Sequence, residues 1–255
     1  MKSLLFLLSL VAFAFLAGGC WDIQTGTPFK HIAPGAWRGV FIFDQEPPKK
    51  LMKVKKDSIR NERIPVVFQV VSDKEGYPKS FLFVDGGDSL RSDSLRIWGD
   101  TVFVYFNQSQ TYMRLVYEIN LMEGILYDRT EKNYPIRFQA QNGSYPRFPD
   151  IRREPIGDLN GNWTAQIADN QSDSTSTCAM QFVAKANSVS VRIEASPFAP
   201  ALSLEGTIQG KQIYLSGFNG RAAAQLSAEI SADGKSLQKA SLRINDQLYN
   251  FIAQR

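Results

Sequence analysis

Two cysteines, one histidine and a cluster of aspartates are the residues of this chain whose types could support chemistry. Cys20 directly follows Leu16-Ala17-Gly18-Gly19, at the end of the apolar run Leu4–Leu16, which Lys2 precedes. A run of about 13 residues is too short to cross a bilayer core of roughly 30 Å, and it suits the core of a signal peptide. Small residues followed by a cysteine at the cut point form a bacterial lipoprotein box. Its chemistry is transfer of a diacylglyceryl group to the thiol, which leaves Cys20 as the lipidated first residue of the mature chain. Such boxes usually carry Leu three residues before the cysteine, where this chain has Ala17 and places Leu16 one step further back. The competing reading is ordinary secretory cleavage near Ala17 or Gly19, with Cys20 left as a free thiol. Lipidation would hold firmly, because each buried methylene contributes about 0.8 kcal/mol and two or three chains are attached.

The other candidates carry less. With Cys20 lipidated, Cys178 has no partner for an internal disulfide and no Cys-x-x-Cys pair for redox exchange. Thr177-Cys178-Ala179-Met180 alternates like a strand, so Cys178 is expected in a core. His31 lies before the first strand, too far out to serve a Ser-His-Asp or Cys-His site, and one histidine with one thiol cannot build a zinc set. Asp85, Asp88, Asp93 and Asp100 surround Gly86-Gly87, but their spacing matches no calcium loop and they read as solvated turn carboxylates. No phosphate loop and no distinctive carboxylate pair is found. The sequence therefore assigns no catalytic residue, no metal ligand and no cofactor.

Those residues must be positioned by β-structure. Removing residues 1–19 leaves about 236 residues, 44% apolar and 12% aromatic over the whole chain, enough for one large or two small domains. The net charge is only +4 despite a pI near 9.0, which argues against a nucleic-acid module. Lys49, Lys50, Lys53, Lys55 and Lys56 cluster after Pro47-Pro48 and read as a solvated connector, with lipid headgroups as the best anionic partner.

Gly35-Ala36-Trp37 opens one block and Gly161-Asn162-Trp163 opens another; the first closes near Phe138-Gln139-Ala140-Gln141 and the second near Phe251-Ile252-Ala253-Gln254. The Pro-rich connector around Pro146, Pro149 and Pro155 separates them. Period-2 alternation predicts about eight strands per block. In the first they lie near 37–43, 64–71, 79–85, 94–98, 101–106, 112–119, 124–129 and 134–140. In the second they lie near 162–168, 177–184, 188–195, 201–207, 212–216, 222–230, 237–243 and 248–253. Nothing after residue 20 shows sustained helical periodicity. The predicted class is all-β: two tandem up-and-down antiparallel barrels of about eight strands each, after a signal peptide. The boundaries are 1–19 for the signal peptide, 20–32 for a tether, 33–145 for the first barrel, 146–156 for a linker and 157–255 for the second barrel.

Gly-x-Trp on a first strand resembles the lipocalin signature, in which the Trp plugs one barrel end, and Trp37 and Trp163 are expected to do so here. Pro34-Gly35-Ala36-Trp37-Arg38-Gly39, Tyr134-Pro135-Ile136-Arg137-Phe138-Gln139-Ala140, Asp158-Leu159-Asn160-Gly161-Asn162-Trp163 and Ile213-Tyr214-Leu215-Ser216-Gly217-Phe218-Asn219-Gly220 carry a second resemblance. It is to the β-rich region preceding the thioredoxin domain of TlpA-like envelope thiol–disulfide oxidoreductases. The Cys-x-x-Cys motif of that domain is absent from this sequence, so the resemblance carries over no catalytic residue and implies an envelope accessory module.

The functional expectation is a non-enzymatic, lipid-anchored protein of the cell envelope, held by Cys20 at the periplasmic face of the outer membrane, with a binding or interaction role. One alternative is a lipocalin-like carrier of a small apolar ligand, for which the Ala- and Ser-rich second block (Ala222-Ala223-Ala224, Ser227, Ala228) is the better host. Another is an accessory of thiol redox through Cys178. Partners are the membrane and a small apolar ligand or an envelope protein, not nucleic acid. Asp57-Ser58-Ile59, Asp88-Ser89-Leu90, Asp93-Ser94-Leu95 and Asp100-Thr101-Val102 also match the Asp-Ser/Thr-aliphatic O-glycosylation sequon of certain Gram-negative envelopes.

Overall fold

A computed structural model describes residues 32–43, 63–118, 120–130, 135–149, 153–168, 174–196 and 200–255. All regular structure in them is β. The first half contains β1 (Gly35–Ile42), β2 (Arg63–Ser72), β3 (Pro78–Asp85), β4 (Asp88–Arg91), β5 (Ser94–Trp98), β6 (Thr101–Phe106), β7 (Thr111–Glu118), β8 (Leu121–Asp128) and β9 (Ile136–Asn142). The second contains β10 (Gly161–Ala168), β11 (Thr175–Lys185), β12 (Ser188–Ile193), β13 (Leu202–Gln209), β14 (Gln212–Phe218), β15 (Ala223–Ile230), β16 (Ser236–Ile244) and β17 (Gln247–Gln254).

The second half is the expected closed, eight-stranded, up-and-down barrel, with β10 paired to both β11 and β17. The first half departs from a simple barrel. Its nine strands form a curled sheet in the order β4-β3-β2-β1-β9-β8-β7-β6-β5, with no ladder joining β4 to β5. These two edges are consecutive in the chain, separated only by Ser92 and Asp93, so the sheet must curl until its edges meet. At the junction the Ser92 N–H donates to the Phe81 carbonyl of β3 (2.9 Å) and the Ser92 hydroxyl accepts the Phe81 N–H (2.9 Å). The Asp93 N–H donates to the Tyr105 carbonyl of β6 (2.8 Å). The fourth barrel strand is thus divided between its neighbours, the early part serving β3 and the late part β6. The sequence pattern locates only the late part, because Asp88 reads as the end of a turn.

The two halves repeat one design. Trp37 pairs across to Phe68 and Trp163 to Met180; two residues on, Gly39 pairs with Ala140 and Ala165 with Ala253. Both tryptophans are buried plugs, as expected. Each indole N–H donates to the carbonyl four residues earlier, Trp37 to Ala33 (2.8 Å) and Trp163 to Leu159 (3.0 Å). That bond requires the chain to double back just before the Trp. Gly35 (φ +93°) and Gly161 (φ +119°) supply the turn in a region where other residues are strained. The glycine of Gly-x-Trp is a backbone requirement.

The first core is dominated by aromatic rings: Phe41, Phe68, Phe81, Phe83, Phe106 and Phe138 are all buried, with neighbouring centroids 4.9–6.1 Å apart. The second is filled by aliphatic side chains around Trp163, Phe182 and Phe251.

Candidate functional site

The antiparallel meander gives the curled sheet two rims. One holds the start of β1, the β2–β3, β5–β6 and β7–β8 turns and the end of β9; the other holds the β3–β4 and β6–β7 turns and the end of β8. The second rim meets the second half, and Phe218 makes the deepest contact. It ends β14, yet its ring lies 4.8 Å from Phe41, 5.1 Å from Phe83 and 5.5 Å from Phe106, inside the first core. Ala223 of β15 is buried in the same cluster. Ser216 donates its hydroxyl to the Pro65 carbonyl, Thr111 donates to the Gly220 carbonyl, and Arg221 pairs with Asp128 at 2.9 Å.

A buried ion pair sits in this seam. Arg147, from the connector, lies 2.6 Å from Asp85 Oδ1, and both side chains are 8% exposed. The contact is ionic rather than an aligned hydrogen bond; the guanidinium donates instead to the carbonyls of Ser216 and Val84. Asp85 Oδ2 accepts the Phe218 N–H at 3.0 Å. Burial pushes the Asp85 carboxyl above its ordinary range, and the Arg147 charge and the Phe218 N–H only partly oppose it. A Cβ on Gly217 would meet the Ser203 carbonyl at 2.3 Å and Asp85 Oδ2 at 3.2 Å, so glycine permits the approach of β14. The expectation of a solvated turn is therefore corrected for Asp85. The β3–β4 hairpin is docked against the second half: Asp88 accepts from the Ser203 hydroxyl, and the Gly86 N–H donates to the Glu205 carboxylate. Asp93 and Asp100 act locally, accepting from the Asn107 N–H and the Thr101 hydroxyl. Among the described residues no three acidic, His or Cys side chains are grouped to hold a metal ion.

The outer face of the first half offers different chemistry. Tyr105, Tyr112 and Tyr127 on β6, β7 and β8 stack in a row across the sheet, with centroids 5.9 and 5.0 Å apart and planes within 27° and 18° of parallel. Arg96 lies over Tyr105 (5.7 Å), and Arg129 lies over Tyr105 (5.4 Å) and Tyr112 (5.7 Å). Guanidiniums at these distances are drawn to the faces of the tyrosine rings. Beyond Arg129 lies an open polar cleft of about 280 Å³ that includes Gln110, Thr130 and Arg221. Rings and cleft together form a surface able to take planar or polar groups. A second open cleft of about 280 Å³ lies beside Arg38, Tyr145 and Pro149. Neither cleft enters a barrel interior.

Cys20, His31, the lysine cluster 49–56 and Asp57-Ser58-Ile59 lie outside the described residues. Cys178 is buried on β11, opposite Ala165, at the position Val66 occupies in the first half. Burial, with the Glu194 charge second, pushes its thiol above the ordinary range, away from the reactive thiolate. Ala222, Ala224 and Ala228 are packed into the second core and Ala223 into the first, so the small residues expected to leave a cavity serve close contact. Ser89 and Ser94 of the sequon matches are exposed, and Thr101 is half-buried. Arg147 and Phe218 carry the seam without a sequence motif; the one local hint is a cation held between Pro146 and Pro149.

No family model matches the chain, and no curated protein matches it in sequence. Among solved structures it is similar to a protein of unknown function of the DUF3598 family from Nostoc punctiforme (11% identity, 87% of this chain and 96% of that one, TM-score 0.27). It is similar also to a protein assigned provisionally to the outer membrane of Bacteroides fragilis (9% identity, 86% and 95%, TM-score 0.25). A third is a mutant of the vaccine antigen transferrin-binding protein B from Haemophilus parasuis (9% identity, 77% and 45%, TM-score 0.20). At these scores the likenesses carry no functional argument, and the fold rests on the strand pairing itself.

Proposed function

We propose that the protein is a lipid-anchored component of the cell envelope, attached through Cys20 at the periplasmic face of the outer membrane, with a binding role exercised on the outside of its barrels. The observation that carries this reading is the filling of both interiors: eight buried aromatic side chains, Trp37 and Phe218 among them, occupy the first core, and aliphatic side chains close the second. Eight-stranded barrels either pack their interiors or hold one ligand, and this packing favours the outer surface over the carrier reading. The Tyr105-Tyr112-Tyr127 face with Arg96 and Arg129 is the best candidate surface, because stacked rings and fixed guanidiniums are rigid recognition groups that lose little entropy on binding. The redox-accessory reading finds no support in Cys178, whose thiol is enclosed. The sequence resemblance to the β region of TlpA-like proteins fits an envelope module and adds no chemistry.

The test is fractionation of cells making the full chain and Cys20→Ser. The reading expects the full chain in the membrane fraction with label from radioactive palmitate, and the variant unlabelled and released by osmotic shock. An unlabelled full chain released in the same way would overturn it.

A further inference from the structure

The rim at which the chain enters the first half is the one the second half leaves open. Register shows which residues share it. Trp37 pairs with Asn142, whose neighbour Gln141 pairs with Leu121; Leu121 pairs with Glu118, Val116 with Thr101, and Thr101 with Trp98. The path runs from the start of β1 to Trp98 without leaving the rim. Eleven large apolar side chains are exposed among the described residues, and six of them sit here: Trp98 (82%), Leu121 (56%), Tyr77 (46%), Tyr145 (45%), Ile97 (39%) and Val116 (38%). Such clustering on one end of a folded domain marks a contact surface.

Trp98 is presented rigidly. It adjoins the Gly99-Asp100 hairpin tip, which Tyr117 braces twice: its N–H donates to the Asp100 carbonyl (2.9 Å) and its hydroxyl to the Gly99 carbonyl (3.3 Å).

We infer that this rim rests on the bilayer, with Trp98 seated at the boundary between headgroups and acyl chains. The inference depends on the proposed anchoring at Cys20. About 12 residues separate Cys20 from Ile32, and at no more than ~3.6 Å per residue they reach about 43 Å, so the entry rim is the part of this half closest to the anchor along the chain and lies within reach of the membrane that holds it. Trp and Tyr are the side chains that favour such interfaces, an apolar ring with one polar handle. Charges at the rim are mixed: Lys74 and Lys79 stand beside Asp73 and Glu75, and Lys79 pairs with Asp73 at 3.0 Å. Attachment is therefore by ring insertion rather than by headgroup charge, and it does not depend on salt.

The test uses the full lipidated chain in phosphatidylcholine vesicles containing brominated acyl chains. Trp21→Phe removes the tryptophan beside the anchor, and Trp37 and Trp163 are buried controls. The Trp21→Phe protein is expected to float with the vesicles and to show bromine quenching of a blue-shifted emission component. That component is lost in Trp21→Phe/Trp98→Phe and is unchanged by salt on the order of 0.5 M, where screening acts over a few ångströms. Flotation with no quenching would overturn the inference while leaving the anchor intact, and would turn the rim over to a protein partner. Failure to float would overturn the anchor itself and the inference with it.

Discussion

Phe218→Ala is expected to destabilise the half of the molecule to which Phe218 does not belong by sequence. The side chain is 3% exposed, and its ring contacts Phe41, Phe83 and Phe106. Truncating a buried Phe to Ala removes about 3–5 kcal/mol, the cavity included. Three aromatic contacts are each worth about 0.5–1.5 kcal/mol beyond burial, but they share one ring and are already contained in that range. Against a total of roughly 5–15 kcal/mol for a typical domain, the loss is large. Hydrogen exchange read by mass spectrometry gives the location. Protection should fall in β1, β3 and β6, the strands that carry the three contacted rings, while β11 and β12 keep theirs. The control is Phe182→Ala, a ring of equal size that packs at 5.9 Å on Trp163 within the second core; it should lower protection in β10–β12 and spare β6. If Phe218→Ala costs under about 1 kcal/mol in urea unfolding, or loosens the second half alone, Phe218 is not a plug and the account of the seam fails.

The buried ion pair should make the seam pH-dependent. Because the folded carboxyl of Asp85 is raised above the ordinary value of 3.8, its contribution is fully present below that value and declines as pH rises through the raised one. The stability of the native protein relative to Asp85→Asn should therefore fall over that window, and parallel pH profiles would refute this. Arg147→Ala leaves the carboxylate uncompensated and should cost about 3–5 kcal/mol at pH 7 but less in acid, where Asp85 is neutral; equal losses at both pH values would contradict the pairing. Cys178 should react with a maleimide only as fast as the second barrel opens, and labelling at the rate of a free thiol would show the barrel to be looser than described. Trp37→Phe and Trp163→Phe each orphan a buried carbonyl and should cost about 1–3 kcal/mol beyond the change in ring size; urea midpoints would show it, and a neutral outcome in either would deny the shared role of the two indole bonds.

The strand pattern was open to reading because most strands bury one face, as the alternation of buried residues along Thr101–Phe106 shows; Ser94–Trp98, which buries none of its residues, is bounded instead by the Gly99-Asp100 turn, and both strands lie at the expected bounds. The repeat was legible too, since Gly-x-Trp encodes a local turn and a bond over four residues. What sequence could not supply is nonlocal. Asp85 sits beside two glycines and looks like any turn carboxylate; its burial comes from Arg147 and Phe218, 62 and 133 residues away in the chain. Ala223 looks like a hole in the second barrel until the first core is placed against it. Trp98 is unremarkable among the aromatics by type, and only the register puts it on the open rim.

The measurement that bears most directly on the central claim is the intact mass of the protein extracted in detergent from the envelope of cells that make it. The account predicts a chain beginning at Cys20 and carrying a diacylglyceryl group, with the lipid confined by fragmentation to that residue. A chain cut elsewhere, or one whose Cys20 bears a free thiol, would contradict it.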